Sequence, residues 1–202
     1  MWSLRAAGAT LCVLGLTAFT NGLYYIDDQD SSITYNSSAG VGYNKKWLKY
    51  SHENSNLLAV SVNETFLFDK TASYTQCYPS DHCSITIPFN GTGITLYVAQ
   101  DIGDIYNTTI SLDNGPATNH FAYNDIKAQV EAYNATLYDI QGLNWTTHTV
   151  RVELDPSGSR LLFDYAAVAG DQPPGRNGAA AAAAASLLAV APVLVLLGVS
   201  FW

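Results

Sequence analysis

The chain has 202 residues, of which nine are Lys or Arg and 17 are Asp or Glu, so its formal net charge is -8 at pH 7. This balance argues against nucleic-acid binding, because phosphate contacts need several clustered basic side chains and only Lys45, Lys46 and Lys49 are grouped. The length suits one domain with a substantial hydrophobic core.

The N-terminal segment has the layout of a secretory signal peptide. Arg5 gives it a positive start, residues 6–19 are apolar, and small residues follow. Cleavage after Thr20 and cleavage after Gly22 both fit this layout. We therefore assign residues 1–22 as a signal peptide, which would deliver the rest of the chain to the outside of the cell.

The next part of the chain is β-like but irregular. Short strands are predicted around residues 33–35, 47–50 and 57–62. Cys77 and Cys83 follow, and an even pair of nearby cysteines in an oxidising compartment predicts a disulfide. Their spacing differs from that of a Cys-x-x-Cys redox or zinc motif.

From residue 84 onward, alternating apolar and polar residues are separated by turn sequences. Residues 84–89 and 94–98 are predicted to form a hairpin about the Asn-Gly-Thr-Gly turn at 90–93, and further turns are predicted at 113–116 and 155–158. The one helical candidate is 124–133. The remaining predicted strands are 108–112, 118–123, 135–140, 146–154 and 160–168. Evenly spaced short strands predict an all-β fold for residues 23–169, an antiparallel β-sandwich or jelly roll.

The C-terminal part predicts attachment to a membrane. Residues 170–178 form a Pro/Gly stalk, and residues 179–202 are a hydrophobic tail with no Lys or Arg after it. Small residues, a short spacer and a hydrophobic tail are the pattern of a GPI-anchor signal, with Asn177 as the attachment residue. The alternative is a single transmembrane helix. Either arrangement predicts a protein on the extracellular face of the plasma membrane or in the cell wall.

Six Asn-x-Ser/Thr sequons predict a heavily glycosylated surface. Each glycan would also block the surface around it. The predicted acceptors are Asn36, Asn63, Asn90, Asn107, Asn134 and Asn144.

Several segments form a recognisable series of strands and turns: 26–35, 89–97, 110–115, 137–143, 148–150 and 161–165. Together they resemble a fungal family of secreted or membrane-tethered proteins with a galactose-binding-like jelly-roll domain. The resemblance implies a β-sandwich related to carbohydrate-binding modules, and most members of the family have no assigned activity. Many of them carry a membrane helix and a cytoplasmic tail. This sequence shows no such tail, which favours the GPI interpretation.

The resemblance also suggests a structural calcium ion. Related jelly rolls often hold one between the N-terminal segment and the last strand, and carboxylates are ligands that Ca²⁺ prefers. Here Asp28 belongs to an N-terminal acidic cluster, and Asp164 lies in the last predicted strand. Calcium ligation by these two residues is one interpretation. The other is that they only cap turns and contact solvent.

No catalytic motif is present, and the four histidines lie on separate segments without metal-ligand spacing. Asp101 and Asp104 could be the pair of carboxylates that glycoside hydrolysis requires, but solvation in a loop is the strongly favoured explanation for them. The sequence is therefore expected to be non-catalytic.

Exposed aromatic rings are the usual platform on which sugars stack. Tyr43, Trp47, Tyr106 and Tyr123 are the candidates for such a platform, against the alternative that each is a core residue. The preferred hypothesis is a cell-surface glycoprotein that binds carbohydrate or a cell-wall polysaccharide. A structural wall or adhesion protein without a defined ligand is the second hypothesis, and a surface glycoside hydrolase is the third.

Overall fold

The computed structural model describes residues 22–37, 47–50, 60–123 and 130–170. Nine β-strands and two short 3-10 turns, Glu64–Phe66 and Phe68–Lys70, account for the regular structure of these segments, which contain no α-helix. The strands are β1 (Leu23–Asp27), β2 (Thr34–Ser37), β3 (Leu48–Tyr50), β4 (Ala72–Gln76), β5 (Cys83–Gln100), β6 (Ile105–Leu112), β7 (Thr118–Tyr123), β8 (Ala132–Leu154) and β9 (Arg160–Ala169). The predicted all-β class is confirmed.

All strand pairs are antiparallel, in the order β3-β4-β9-β5-β8-β6-β7. β1 pairs with β9 beyond the end of β4, and β2 pairs with the start of β5. Residues 93–99 of β5 pair with β9, whereas residues 83–91 pair with the end of β8 and residues 83–86 also pair with β2. The sheet therefore curls into two layers, one centred on β9 and the other ordered β2-β5-β8-β6-β7. This is the predicted antiparallel sandwich.

Two long strands make the corner between the layers. β5 and β8 both continue through it, and their pairing register shifts between Gly91 and Gly93. A Cβ atom on Gly91 would lie 2.3 Å from the backbone oxygen of Ala169 at the end of β9. Only glycine permits so close an approach between two backbones.

The interior consists of two groups of buried side chains. The larger group lies between the layers and includes Ile85, Ile87, Val150, Val152 and Phe163. The smaller group lies around β3, β4 and the segment that precedes the 3-10 turns, and includes Tyr50, Val62 and Leu162. Burial at alternate positions along β5 and β8 explains why their period-of-two sequence patterns predicted strands.

The structure corrects the hairpin predicted at residues 84–98. Residues 90–93 form no turn, because their glycines serve the corner of one continuous strand, β5. In the same way, the strands predicted at 135–140 and 146–154 are parts of the single strand β8. The predicted helix was wrong at its C-terminal end, where Ala132 and Tyr133 begin β8, while residues 124–129 lie outside the described part of the chain.

Other local predictions are confirmed. Asp113 and Asn114 both have positive φ, and Gly115 N–H donates to Leu112 O at 2.7 Å, so a tight turn joins β6 to β7. A second turn, with Gly158 at φ 101°, joins β8 to β9. Cys77 and Cys83 form the predicted disulfide, with Cα atoms 5.9 Å apart.

The segments predicted as signal peptide, stalk and hydrophobic tail fall almost entirely outside the described residues, as does Asn177. Within the described ranges, no helix has the length and apolar character needed to cross a membrane.

Substitution of Gly91 tests the corner. Gly91→Ala forces a methyl group against the Ala169 carbonyl, so we expect a loss of about 1–3 kcal/mol in the free energy of unfolding. Urea denaturation followed by tryptophan fluorescence measures it. The matched control is Gly142→Asn, since Gly142 lies in the partner strand β8 but has open space around it and a positive φ that Asn accepts. Equal losses in the two variants would contradict this account of the corner.

Candidate functional site

A cleft of about 560 Å³ lies where the turn between β1 and β2 meets β3. Tyr35 and Trp47 form an aromatic pair in its wall, with ring centroids 4.8 Å apart and ring planes at 48°. The Trp47 indole Nε1–H donates to the Asn36 backbone oxygen at 3.1 Å, and this bond ties the ring to β2. Both rings are half-buried, so part of each surface remains available to a ligand.

The aromatic pair is fixed from below. The Tyr35 hydroxyl donates to the Asp28 backbone oxygen at 2.7 Å, and burial raises the pKa of Tyr35 well above its ordinary value, so the hydroxyl remains a neutral donor. The turn that carries Asp28 closes through Asp30 N–H to Asp27 O at 3.0 Å. A rigid aromatic wall costs a ligand little ordering entropy.

One neutral amide, one acidic and one basic side chain complete the lining of the cleft. Gln29, Asp30 and Lys49 line the cleft beside the aromatic pair. Asp30 Oδ1 also accepts from Ser32 N–H at 2.8 Å, which orients its carboxylate within the turn. An apolar wall with a few placed polar groups is the usual composition of a small-molecule site.

Beneath the cleft, Asp28 is fully buried and well supplied with donors. The Ser73 hydroxyl donates to its Oδ2 at 2.8 Å, and Thr71 and Gln29 donate as well. Burial nevertheless raises the pKa of Asp28, while these three hydrogen bonds act in the opposite direction. Asp28 therefore ties the floor of the cleft to β4.

The carboxyl groups of Asp27 and Asp164, near Asp28, accept fewer hydrogen bonds than the Asp28 carboxyl does. Asp27 Oδ1 and Asp164 Oδ2 are buried and have no hydrogen-bond partner among the residues described. Burial raises the pKa of both, that of Asp164 to about 7, and the charges of Asp28 and Asp27 add to the effect on Asp164. Asp164 Oδ1 accepts from Phe68 N–H at 2.9 Å.

The surroundings of the predicted calcium pair, Asp28 and Asp164, differ between the two residues. The described residues contain no group of three or more His, Cys, Asp or Glu side chains arranged to hold a metal ion. The oxygens of Asp28 are engaged by hydroxyl and amide donors, whereas Asp27 and Asp164 each keep a buried oxygen with unfilled acceptor capacity. Unfilled acceptor capacity in this part of the structure therefore belongs to Asp27 and Asp164 rather than to Asp28.

The four predicted aromatic residues have different locations. Trp47 lies in the cleft. The prediction for Tyr106 was wrong, because its ring is 1% exposed and its hydroxyl is hydrogen-bonded to Ala99 O. Tyr123 is the last residue of β7, in register with Ile105 on β6. Tyr43 lies outside the described residues.

Asp101 and Asp104 are buried and bind the protein itself. Asp101 accepts from Ser61 N–H at 2.9 Å and from the Ser61 hydroxyl at 2.6 Å. Asp104 accepts from Asp101 N–H at 3.0 Å and from Arg160 at 3.3 Å. These bonds correct the expectation of a solvated loop, and they also occupy the carboxylates that hydrolysis would need.

An aromatic cluster on the outside of the β9 layer was missed by the sequence analysis. Tyr165 stacks on Tyr97 at 4.6 Å and on Phe68 at 4.7 Å, and Tyr25 contacts the edge of Tyr165 at 5.8 Å. Because the ring faces lie against one another, they are less available to a sugar than the walls of the cleft. The cluster could not be predicted from the sequence, because Tyr165 and Tyr97 are neighbours only through the pairing of β9 with β5. That register is known from the structure.

His148, which lacks metal-ligand spacing in the sequence, has a structural role in the fold. Its Nδ1 lies 2.7 Å from Asp113 Oδ2 and its Nε2 lies 2.8 Å from Asn144 O, so both ring nitrogens face acceptors. Burial lowers the pKa of His148, but these two contacts outweigh it and the net shift is upward. The ring pins the β6–β7 turn to β8.

No model of a known protein family matches the chain, and no curated protein matches it. Among solved structures, it is similar to a family 35 carbohydrate binding module from Clostridium thermocellum, at 14% identity and a TM-score of 0.45, over 73% of this chain and 98% of that one. It is also similar to the catalytic domain of a GH87 alpha-1,3-glucanase in complex with tetrasaccharides, at 12% identity and a TM-score of 0.46, over 77% of this chain and 29% of that one.

A third similar structure is a family two carbohydrate esterase from Cellvibrio japonicus, at 14% identity and a TM-score of 0.43, over 75% of this chain and 34% of the esterase. This chain therefore spans no more than about a third of either enzyme. A likeness at this level carries no information about substrate or activity.

Substitution of Asp164 tests whether the charge of a buried carboxyl group lowers the stability of the fold at high pH. Its pKa is about 7 in the folded protein against 3.8 for the ordinary carboxyl, so its contribution to stability is fully present below about pH 4 and is lost as the pH rises through 7. Asp164→Asn keeps an acceptor for Phe68 N–H and removes the charge. We expect the variant to be more stable than the wild type at pH 8 but not at pH 4, in urea denaturation without divalent cations.

The control is Asp139→Asn. Asp139 is exposed, and hydrogen bonds from Thr95 and Gln141 lower its pKa, so its removal should bring no gain at pH 8. A loss of stability for Asp164→Asn that is the same at pH 4 and pH 8 would show that the buried charge is not the cause.

Proposed function

We propose that the protein is a non-catalytic extracellular glycoprotein that binds carbohydrate, or a polysaccharide of the cell wall, in the Tyr35–Trp47 cleft. The observation that carries the proposal is the fixed aromatic pair in the wall of a cleft of about 560 Å³. That volume lies within the range of about 300–1,000 Å³ that is usual for ligand pockets.

The chemistry of the cleft suits a sugar. Pyranose rings present an apolar face of C–H groups, which packs on aromatic rings, and a rim of hydroxyls, which donate and accept hydrogen bonds. The exposed parts of Trp47 and Tyr35 would contact the apolar face. Gln29, Asp30 and Lys49 would meet the hydroxyls, since together they offer amide, carboxylate and ammonium groups.

A hydrolase is less well supported. Such an enzyme needs one carboxylic acid and one carboxylate facing the same sugar bond. Asp101 and Asp104 are engaged by Ser61 and Arg160 in the interior, away from the lining of the cleft. A structural wall protein without a ligand is the second candidate, and the binding experiment below separates it from the first.

The proposed location depends on the two ends of the sequence. A signal peptide at residues 1–22 and an anchor signal at 179–202, with attachment at Asn177, would leave the domain tethered outside the cell. The Cys77–Cys83 disulfide is consistent with an oxidising compartment.

A structural Ca²⁺ belongs to the same proposal. Asp27 and Asp164 would hold it, and its charge would offset the burial and, secondarily, the repulsion between neighbouring carboxylates that raise their pKa values. The expected result is a higher melting temperature for the wild type when CaCl₂ is added at pH 8, and a smaller increase for Asp164→Asn. Identical responses of the two proteins would remove Asp164 from the site.

Substitution of Trp47 tests carbohydrate binding. Purified protein is applied to a glycan array and to insoluble cell-wall polysaccharides, and the dissociation constant is then measured for the best ligand. Trp47→Ala is expected to weaken binding by at least about tenfold, equivalent to about 1.4 kcal/mol. Trp145→Ala is the control, because Trp145 is 58% exposed and does not line the cleft.

Because Asn36 is a predicted glycosylation site in the cleft, the binding experiment needs a second variant. Asn36 lines the cleft, so a glycan attached there could fill it. Asn36→Gln removes the glycan and keeps the backbone oxygen that accepts from Trp47. Binding by neither the wild type nor Asn36→Gln would favour the structural role over the binding role.

Phospholipase treatment of intact expressing cells tests the anchor. A phosphatidylinositol-specific phospholipase should release the protein from the surface, because cleavage removes the lipid that holds it. Retention of the protein, with residues 179–202 still detectable by mass spectrometry, would indicate a transmembrane helix instead.

A further inference from the structure

Phe121 is the most exposed of the large hydrophobic side chains described, at 70%. It lies on β7, which ends the strand order and pairs with β6 alone among the described strands. An exposed phenyl ring on an edge strand is unfavourable, because edge strands pair readily with other chains. Something that covers the ring would remove this disadvantage.

The register of β6 and β7 places a sequon directly opposite Phe121. Asn107 on β6 is the cross-strand partner of Phe121, so the two side chains stand on the same face of the sheet. Thr109, the hydroxyl residue of that sequon, follows on the same face, whereas Tyr106 and Thr108 point into the core. A neighbour of this kind lies close enough for the first sugar on Asn107 to reach the phenyl ring.

The backbone of Asn107 is held while its side chain is unused. Asn107 O accepts from Asp155 N–H at 2.8 Å, and Asn107 N–H donates to Ser159 Oγ at 3.3 Å. Its side-chain amide has no hydrogen bond to any residue that the structure describes. By contrast, Asn90 Oδ1 accepts from Thr147, and Asn63 Oδ1 accepts from Thr65 N–H.

A polar groove of about 450 Å³ begins at the same place. Asn107, Thr109 and Asn119 line one side of it, and Arg151 and Glu153 line the other. Arg151 and Glu153 form an exposed ion pair, with Nη2 and Oε1 2.6 Å apart. The groove therefore offers amide, hydroxyl and charged groups to sugar hydroxyls along a path that starts at Asn107.

We propose that Asn107 carries an N-linked glycan that folds back onto its own sheet, with the first N-acetylglucosamine against Phe121 and the next sugars in the groove. The inference rests on the secretion and glycosylation of the proposed function. In the attachment step, a lipid-pyrophosphate-linked oligosaccharide is the donor. Asn107 Nδ2 forms a bond to C1 of the sugar and loses a proton, while the C1–oxygen bond breaks and the lipid pyrophosphate leaves with the electron pair.

A double-mutant cycle on the full chain secreted from eukaryotic cells tests the contact. The variants are Asn107→Gln, Phe121→Ala and their combination, and the readouts are glycopeptide occupancy and melting temperature. Asn107→Gln should lower the melting temperature by about 2–4 °C in the wild type and by less than about 1 °C in Phe121→Ala. Both single changes are at the surface, so the variants are expected to fold.

Leu23→Ala provides the matched control. Leu23 is 59% exposed on β1, opposite Ala169 and not opposite a sequon, so its effect should add to that of Asn107→Gln without coupling. Enzymatic trimming of the wild type to a single N-acetylglucosamine should keep most of the stabilisation, because that sugar makes the contact with Phe121. Complete removal of the glycan should abolish the stabilisation.

Two results would overturn the inference: additive effects of Asn107→Gln and Phe121→Ala, or an unmodified Asn107 in a secreted protein that carries glycans at other sequons. Both leave the proposed function intact, since the cleft at Trp47 is tested separately. Absence of glycan from all six sequons would instead count against secretion itself, and so against the proposed function and this inference together.

Discussion

The close approach of backbones at Gly91 is the constraint on which the rest of the structure depends. β5 and β8 pass from one layer to the other at this corner. The corner therefore sets the register of the strand pairs in both the β9 layer and the β2-β5-β8-β6-β7 layer. A shift of one residue there would turn Ile85, Ile87 and Val150 out of the core. The same register determines which side chains meet on the surface, including Asn107 and Phe121.

The buried carboxyls are a place where the fold gives up stability. Asp28 has three side-chain donors around it, but Asp27 and Asp164 each keep one oxygen that is buried without a partner among the described residues. Desolvated carboxylates are costly unless a proton, a donor or a cation compensates them. Asp28 is also linked to the aromatic pair of the cleft, because its backbone oxygen accepts from the Tyr35 hydroxyl.

The sequence was sufficient for the class of fold and for most strands, because alternation along 146–154 and turn chemistry at 113–115 are local properties. It failed at residues 90–93, where Gly91, in a sequence typical of a turn, serves a close contact with Ala169 at the end of β9, far away in the chain. Tyr106 was misassigned for a similar reason, since β6 alternates and only the pairing shows which face is buried. Trp47 could be nominated as an aromatic residue, but its partner Tyr35 required the tertiary structure.

The cleft and the Asn107–Phe121 pair lie at opposite ends of one layer, since β2 begins and β7 ends the order β2-β5-β8-β6-β7. Each end carries a sequon, Asn36 on β2 and Asn107 beside β7. Bulky, hydrated glycans at both edges would prevent strand addition by neighbouring molecules, which charges and prolines achieve in other sheets. Sugar would then serve this domain in two ways, as a covalent cover for its edges and as a ligand for the cleft. If both proposals hold, the two roles would compete at the β2 edge because Asn36 lines the cleft, and the occupancy of that sequon would determine whether the cleft is open.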